Sequence, residues 1–291
     1  MNRKFSSSAL LIILLILFSA FAPASEPSIP WKNGTFNGEL TIKVKDGMKN
    51  AGFVLRGAFV DNQRMGTWTL TNDKGEIISR RTYQNSISYQ SDNFSTPKLS
   101  RNEQGSYDYG EIKEKDIIYA KRVSMLIPDD MLNNHPEFNV ALQQLDLSGF
   151  SAYSGPDLRK KVKLKKAQIP QMAQLKELHL TGDWFYDKKY KTMVFAVLGF
   201  SPVMRDNKQA ALWYYYPDIR SRMAQIPMQI EHPMINNLDD YFFLTAFPYL
   251  IYKVEGEKTL PNKDNILQEF TYYFLEDLLM TEAGLWTEQK Q

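Results

Sequence analysis

Apolar and polar positions alternate early in the chain: Leu40, Ile42 and Val44 are interleaved with Thr41, Lys43 and Lys45. That period of two predicts a strand with one buried face. Asp46-Gly47 then reads as a hairpin-type turn, and Asp73-Lys74-Gly75 repeats the punctuation later. Seven of the 15 glycines fall between Gly34 and Gly75, and the segment repeats itself. Gly34-Thr35-Phe36, Gly38-Glu39-Leu40 and Asp46-Gly47 are echoed by Gly57-Ala58-Phe59, Gly66-Thr67-Trp68 and Asp73-Lys74-Gly75. Each unit predicts a short antiparallel hairpin that must stack on a neighbour to bury its aromatic face. Residues 85–110 then lose apolar periodicity, are rich in Ser, Asn, Gln and Tyr, and read as a linker.

A second region begins near Glu111. Residues 116–125 fit a helix or a strand, and 134–156 read as loop apart from an apolar-periodic piece at 140–147. Six of the eight residues at 159–166 are basic, which suits a solvated face or a docking patch for an anionic surface. Residues 177–186 and 190–200 predict a hairpin turning at Asp187-Lys188-Lys189, with a return strand apolar enough to be covered on both sides. A turn at Asp206-Asn207 leads to an aromatic strand over 211–216, and Pro217 and Asp218 open a helix through Met223. Residues 237–247 predict a second short helix stopped by Pro248, and 249–254 a last strand. Leu267, Phe270, Phe274 and Leu278 recur at helical spacing, with Gly284 where a C-cap belongs. The pattern is α+β: antiparallel hairpin repeats over 25–90, a linker over 91–110, and a domain over 111–291. That domain has an antiparallel sheet with helices on one face and ends in an amphipathic helix.

Residues 1–24 read differently. Arg3 and Lys4 precede an apolar run over 9–18, and Ala22-Pro23-Ala24 offers a small-x-small cleavage site, so a mature chain starting at Ser25 is expected. The run is shorter than the roughly 20 apolar residues of a spanning helix, and no cysteine follows it to carry a lipid. The expectation is an exported, non-cytoplasmic protein without its own membrane anchor. Removing Arg3 and Lys4 from 35 basic residues leaves 33 against 33 acidic ones, a balance that argues against nucleic acid as a partner. With no cysteine, disulfides, thiol catalysis and cysteine-bound metals are excluded. Stability must come from packing, for which 17 Phe, 16 Tyr and 5 Trp supply large apolar area.

The catalytic inventory is thin. The chain has no nucleophile elbow, phosphate loop, dinucleotide fingerprint or His-Glu-x-x-His. His135, His179 and His232 are widely spaced and lack metal-ligand spacing, so neither a metal nor a cofactor is expected. Asp183 and Asp187 suggest a carboxylate pair for glycoside hydrolysis, but Asp187 falls where a hairpin turn favours Asp. Asp239 and Asp240 fall in the first turn of a helix.

The aromatic block is the strongest signal. Trp184, Phe185 and Tyr186 lie on one predicted strand, and Trp213, Tyr214, Tyr215 and Tyr216 on the next. Trp184 and Tyr186 share a face by alternation, as do Trp213 and Tyr215, and these four are the candidate partner-contact residues. One of the two tryptophans is expected to be buried and the other partly exposed.

Residues 34–75 resemble MORN-type repeats. Further on, Gly182-Asp183-Trp184-Phe185-Tyr186-Asp187-Lys188, Val197-Leu198-Gly199-Phe200-Ser201-Pro202 and Leu212-Trp213-Tyr214-Tyr215-Tyr216-Pro217-Asp218-Ile219-Arg220 follow in order. Asp239-Asp240-Tyr241-Phe242 and Tyr249-Leu250-Ile251-Tyr252-Lys253 complete the series. Together with residues 114–123 this wording resembles the GldN/PorN family of gliding-motility and type IX secretion proteins, over about 112–256. The chain departs from that family's usual Arg-x-Phe-Ser-Ser-Tyr-Ile-Tyr-Lys stretch at residues 244–253. The resemblance implies a non-enzymatic periplasmic structural subunit that pairs with an outer-membrane lipoprotein and self-assembles into a ring. The alternative is an exported binding module that uses its hairpin repeats and exposed aromatics to hold a protein or a cell-wall glycan. A hydrolase built on Asp183 is the third.

Overall fold

The computed structural model describes residues 31–32, 34–47, 50–87, 89–91, 96, 99–110, 112–205 and 211–287. The expected export segment over 1–24 and the turn at Asp206-Asn207 lie outside the described residues.

Five strands form an antiparallel meander in chain order: β1 (Gly38–Lys43), β2 (Val54–Val60), β3 (Gln63–Thr71), β4 (Ile77–Tyr83) and β5 (Tyr89–Ser91). On β1, Leu40 and Ile42 are buried while Glu39, Thr41 and Lys43 are exposed, as the period of two requires. The β3–β4 turn is built as its sequence suggests. The Asn72 side-chain oxygen accepts from the Lys74 and Glu76 amides at 3.0 and 2.9 Å, and Gly75 takes φ 83°. Gly57 answers a packing need instead, because a Cβ there would lie 2.2 Å from the Trp68 ring. The missing side chain lets the fully buried indole lie directly on the neighbouring strand.

The second sheet contains β6 (Ile117–Ile127), β7 (Ala152–Tyr153), β8 (Lys161–Val162), β9 (Leu175–Asp187), β10 (Thr192–Met204), β11 (Trp213–Tyr215) and β12 (Leu250–Val254). Their order is β8-β7-β11-β10-β9-β6-β12, antiparallel throughout. Residues 116–125 thus resolve as strand, and the β9–β10 hairpin runs longer than its predicted bounds. The basic run lies on and around the edge strand β8, where its lysines are exposed. Lysines on an edge strand oppose pairing with another chain.

The helices are α1 (Asp129–Asn134), α2 (Pro136–Gln143), α3 (Tyr216–Met223), α4 (Leu238–Phe243) and α5 (Asp264–Thr287). Two departures from expectation occur in the helices, and each has a local cause. α4 stops at Phe243 rather than Phe247, because Thr245 adopts φ 57°, a left-handed conformation that breaks the helix. α5 continues past Gly284, and its buried stripe runs through Leu267, Thr271, Leu275, Leu278, Leu279, Glu282 and Trp286, leaving Phe270 and Phe274 half-buried.

α5 packs along β12 and also touches β1 and β4, so one continuous core extends through both sheets. Polar contacts cross the same boundary. The Asn62 side chain donates to the Phe247 carbonyl at 2.7 Å, Gln63 donates to the Leu244 carbonyl, and the Tyr249 amide donates to the Gly34 carbonyl at 3.2 Å. Within the expected linker, Ser100–Arg101 pairs with Tyr107–Asp108, and Tyr107 is buried. No described helix is long and apolar enough to cross a membrane.

Candidate interaction surface

Strand register decides where the aromatic block points. β9 pairs Leu180 with Phe200 and Thr181 with Gly199, while β11 pairs Tyr214 with Phe200 and Tyr215 with Gly199. Directly opposed residues share a face, so Trp184 and Tyr186 lie on the face of Leu180, Phe200 and Tyr214. Trp213 and Tyr215 lie on the other. The four candidate contact residues therefore do not converge on one patch.

Their exposure differs as well. Tyr186 is fully enclosed and Trp213 is 5% exposed, so in the folded chain both are core residues. Trp184 and Tyr215 are half-buried. The expectation of one buried and one partly exposed tryptophan is met, with Trp213 the buried one. Trp184 packs on Phe195 at 5.2 Å between ring centroids and lines a small cleft with Phe36, Phe59, Leu275 and Leu278. Its indole N–H has no hydrogen-bond partner among the described residues.

An apolar groove of about 160 Å³ lies beside β10, lined by Ile112, Phe185, Phe195, Val197, Tyr216 and Phe243 among others. Among the described residues β10 pairs on that side only at Gly199 and Phe200, so the sheet ends along its first half. Three of the aromatic fragments singled out in the sequence contribute to the groove walls: Phe185 from β9, Val197 from β10 and Tyr216 from α3.

The groove wall is held rigid by buried carboxylates. α4 begins with a reciprocal cap, in which Asn237 Oδ1 accepts from the Asp240 amide at 2.9 Å and Asp240 Oδ2 accepts from the Asn237 amide at 3.2 Å. Asp239 is fully buried and takes two bonds from Arg220, both 3.0 Å, and one of 2.7 Å from the Tyr216 hydroxyl. Burial, and behind it the Asp239 carboxylate, pushes the Tyr216 phenol well up, which keeps it a donor. Asp240 receives Arg101 at 2.7 and 2.9 Å. The sequence reading placed the two acids in a first helical turn but missed their arginines, which lie far away along the chain.

A third buried carboxylate, Glu282 on α5, joins the two sheets. Arg64 of β3 donates to both of its oxygens, Arg81 of β4 stands 3.8 Å away, and the Met193 amide of β10 donates at 3.2 Å. Arg81 also lies over the Trp286 ring at 3.6 Å. Burial opposes the charge on Arg64, and Glu282 with Tyr83 more than offsets it, leaving its pKa raised. The sequence reading missed Glu282; a carboxylate on the buried stripe of an amphipathic helix is the signal that could have marked it.

The carboxylates proposed for hydrolysis are committed elsewhere. Asp183 forms a two-pronged pair with Arg122 at 2.7 and 2.8 Å, and Asp187 accepts the Lys189 and Tyr190 amides at 2.8 and 3.2 Å to close the hairpin. Four residues apart on a strand, they stand about 13 Å from each other, beyond the separations glycosidases use. Among the described residues no three His, Asp or Glu side chains are grouped to hold a metal. His135 and His232, though 97 positions apart, line one cavity, and His179 lies elsewhere beside Glu177.

A family model described as gliding motility associated protein GldN matches residues 76–283. The chain belongs to the GldN family. The match opens one residue before β4 and takes in the whole second sheet, most of α5 and Glu282, while β1, β2 and β3 precede it. It reaches further in both directions than the motif resemblance over 112–256. No curated protein matches this GldN-family chain. The family unit thus includes Arg81 and Glu282, and Arg64 reaches into it from outside.

Proposed function

We propose that this protein is a non-enzymatic periplasmic structural subunit that pairs with an outer-membrane lipoprotein and assembles with its own copies into a ring. As a GldN-family member it is a component of the gliding-motility and type IX secretion apparatus. The observation that carries the finer reading is that family match across the second sheet and α5. Two features support it. The carboxylates nearest the aromatic block are held in structural ion pairs or turns, and the apolar groove beside β10 offers a contact surface without a reactive group. Trp184 and Tyr215, the half-buried members of the four candidates, are the proposed contact points, with Tyr186 and Trp213 supporting them from within.

Cross-linking in native envelopes, followed by peptide mass spectrometry, tests the reading. One lipoprotein should be cross-linked from residues flanking the β10 groove, Trp184 or Tyr215, and copies of the chain should be cross-linked to one another. Recovery of glycan-bound protein with no lipoprotein cross-link would favour the binding-module alternative. Intact mass should show a mature chain beginning at Ser25.

A further inference from the structure

A second cavity, of about 240 Å³, lies away from the aromatic groove, between the β2–β3 turn, the start of α2, the 228–235 segment and α4. Asp61, Glu137 and Glu231 stand at its mouth, all exposed, while His135 and His232 are half-buried in its wall. None of the three carboxylates forms an ion pair with a lysine or arginine among the described residues. No lysine or arginine lines the cavity either. Three exposed carboxylates therefore share one opening with no lysine or arginine beside them.

The floor supplies an independent observation. Tyr241 is 6% exposed and lines the cavity, yet its hydroxyl has no hydrogen-bond partner among the described residues. The other enclosed tyrosine of this region, Tyr216, donates to Asp239. The ring is enclosed while its oxygen keeps some accessible surface, so a ligand or water entering the cavity can reach it. Burial, and then the charges of Asp61 and Glu137, push the Tyr241 phenol up, so it meets the cavity protonated and with its oxygen free to accept. His232 accepts the Met234 amide at its Nδ1, 3.2 Å away, which fixes it as a neutral ring. The cavity is therefore net negative, with aromatic and imidazole walls.

We propose that this cavity binds an organic cation, a guanidinium or primary ammonium group, with the three carboxylates attracting it and Tyr241 accepting a hydrogen bond at the floor. A metal ion fits less well, since no three of the acidic and histidine side chains are grouped to ligate one. A planar guanidinium satisfies dispersed acceptors and lies against aromatic faces, which is what the lining offers. The same group is found on an arginine of a partner protein and on a free small amine.

The chain has three histidines, so their ring proton resonances form a site-specific reporter. The intact mature protein is titrated with agmatine at low salt, and separately with the capped tripeptide acetyl-Gly-Arg-Gly-amide. Saturable shifts of His135 and His232, with His179 unmoved, are expected from at least one probe. Binding of the tripeptide at least as tightly as agmatine identifies a protein-borne arginine as the source. Binding of agmatine with exclusion of the tripeptide identifies a free cation. Tyr241→Phe keeps the ring, and with Glu137→Gln it should each weaken binding about tenfold, the scale of one charge-assisted hydrogen bond, without lowering the melting temperature. Uncharged butyramide should produce no shift. The absence of saturable shifts with either probe in the unmodified protein, or equal movement of all three histidines, overturns the proposal.

Discussion

Trp213 and Trp184 lie on opposite faces of the sheet and differ in how much of each ring is enclosed, and their replacement should separate core from contact. Trp213→Ala should lower stability by about 3–5 kcal/mol in chemical denaturation, the range for removing a large buried aromatic. Trp184→Phe keeps an aromatic ring on Phe195, so it should leave the melting temperature nearly unchanged while weakening the cross-link to the proposed lipoprotein partner. Equal stability losses from both variants would place Trp184 in the core instead. His232 gives a pH-dependent prediction. Burial holds its pKa below the ordinary histidine value, with Asp61 acting in the opposite direction. The unfolded chain therefore binds a proton here at a pH where the folded chain does not. The stability this contributes is fully present above the ordinary value of about 6.5 and declines as the pH falls through the lowered one. His232→Gln should flatten that part of the melting-temperature profile between about pH 7 and 5. An unchanged slope would assign the acid limb to other groups.

At the level of elements, glycine and tryptophan in the meander form one packing unit. Gly57→Ala places a methyl group inside the Trp68 ring, which is fully buried and cannot swing away, so a loss of about 1–3 kcal/mol is expected. In α5, Glu282→Gln leaves Arg64 and Arg81 enclosed with a neutral acceptor between them. Breaking such a buried set from one side costs about 3–5 kcal/mol. A loss near zero in urea titration would mean that water reaches the site. The β9–β10 hairpin was legible because thirteen-residue strands with a long apolar run and an Asp-Lys-Lys turn admit few other readings. α1 and α2 were not, because His135-Pro136 separates them and six or eight residues give the helical period too little length. α5 was recognised from the correct positions at Leu267 and Leu278. Its face was drawn one residue off, because Phe270 and Phe274 look like core residues in a sequence yet sit on the flank.

Across the whole molecule, alternation fixed which residues share a face of a strand but not which strands neighbour one another. The register through Gly199 and Phe200 that sends Trp184 and Tyr215 to opposite faces has no local signature. The same holds for the joint between the two sheets, where Arg64 and Glu282 meet across 218 positions. The division into residues 25–90, 91–110 and 111–291 stands as a proposal about chain segments, and the contacts across it make a specific prediction. Protease should cut first within residues 91–110, a stretch rich in small polar residues whose two short strands pair, among the described residues, only with each other. The two fragments should then migrate together in gel filtration, because Asn62, Gln63, Arg64 and Arg81 of the first half bond to residues of the second. Separation of the fragments without denaturant would show that the joint contributes little.

The position of Glu282 also sets a timetable. It follows Arg64 by 218 positions, so both guanidinium groups it neutralises are made well before it. A ribosome that has finished β12 has still not supplied the counter-charge for Arg64. During that interval the hairpins carry a cation with no enclosed partner, and closing so distant a contact is slow. The joint between the two sheets can therefore close only once α5 has been made, so both sheets must await the one helix that neutralises Arg64.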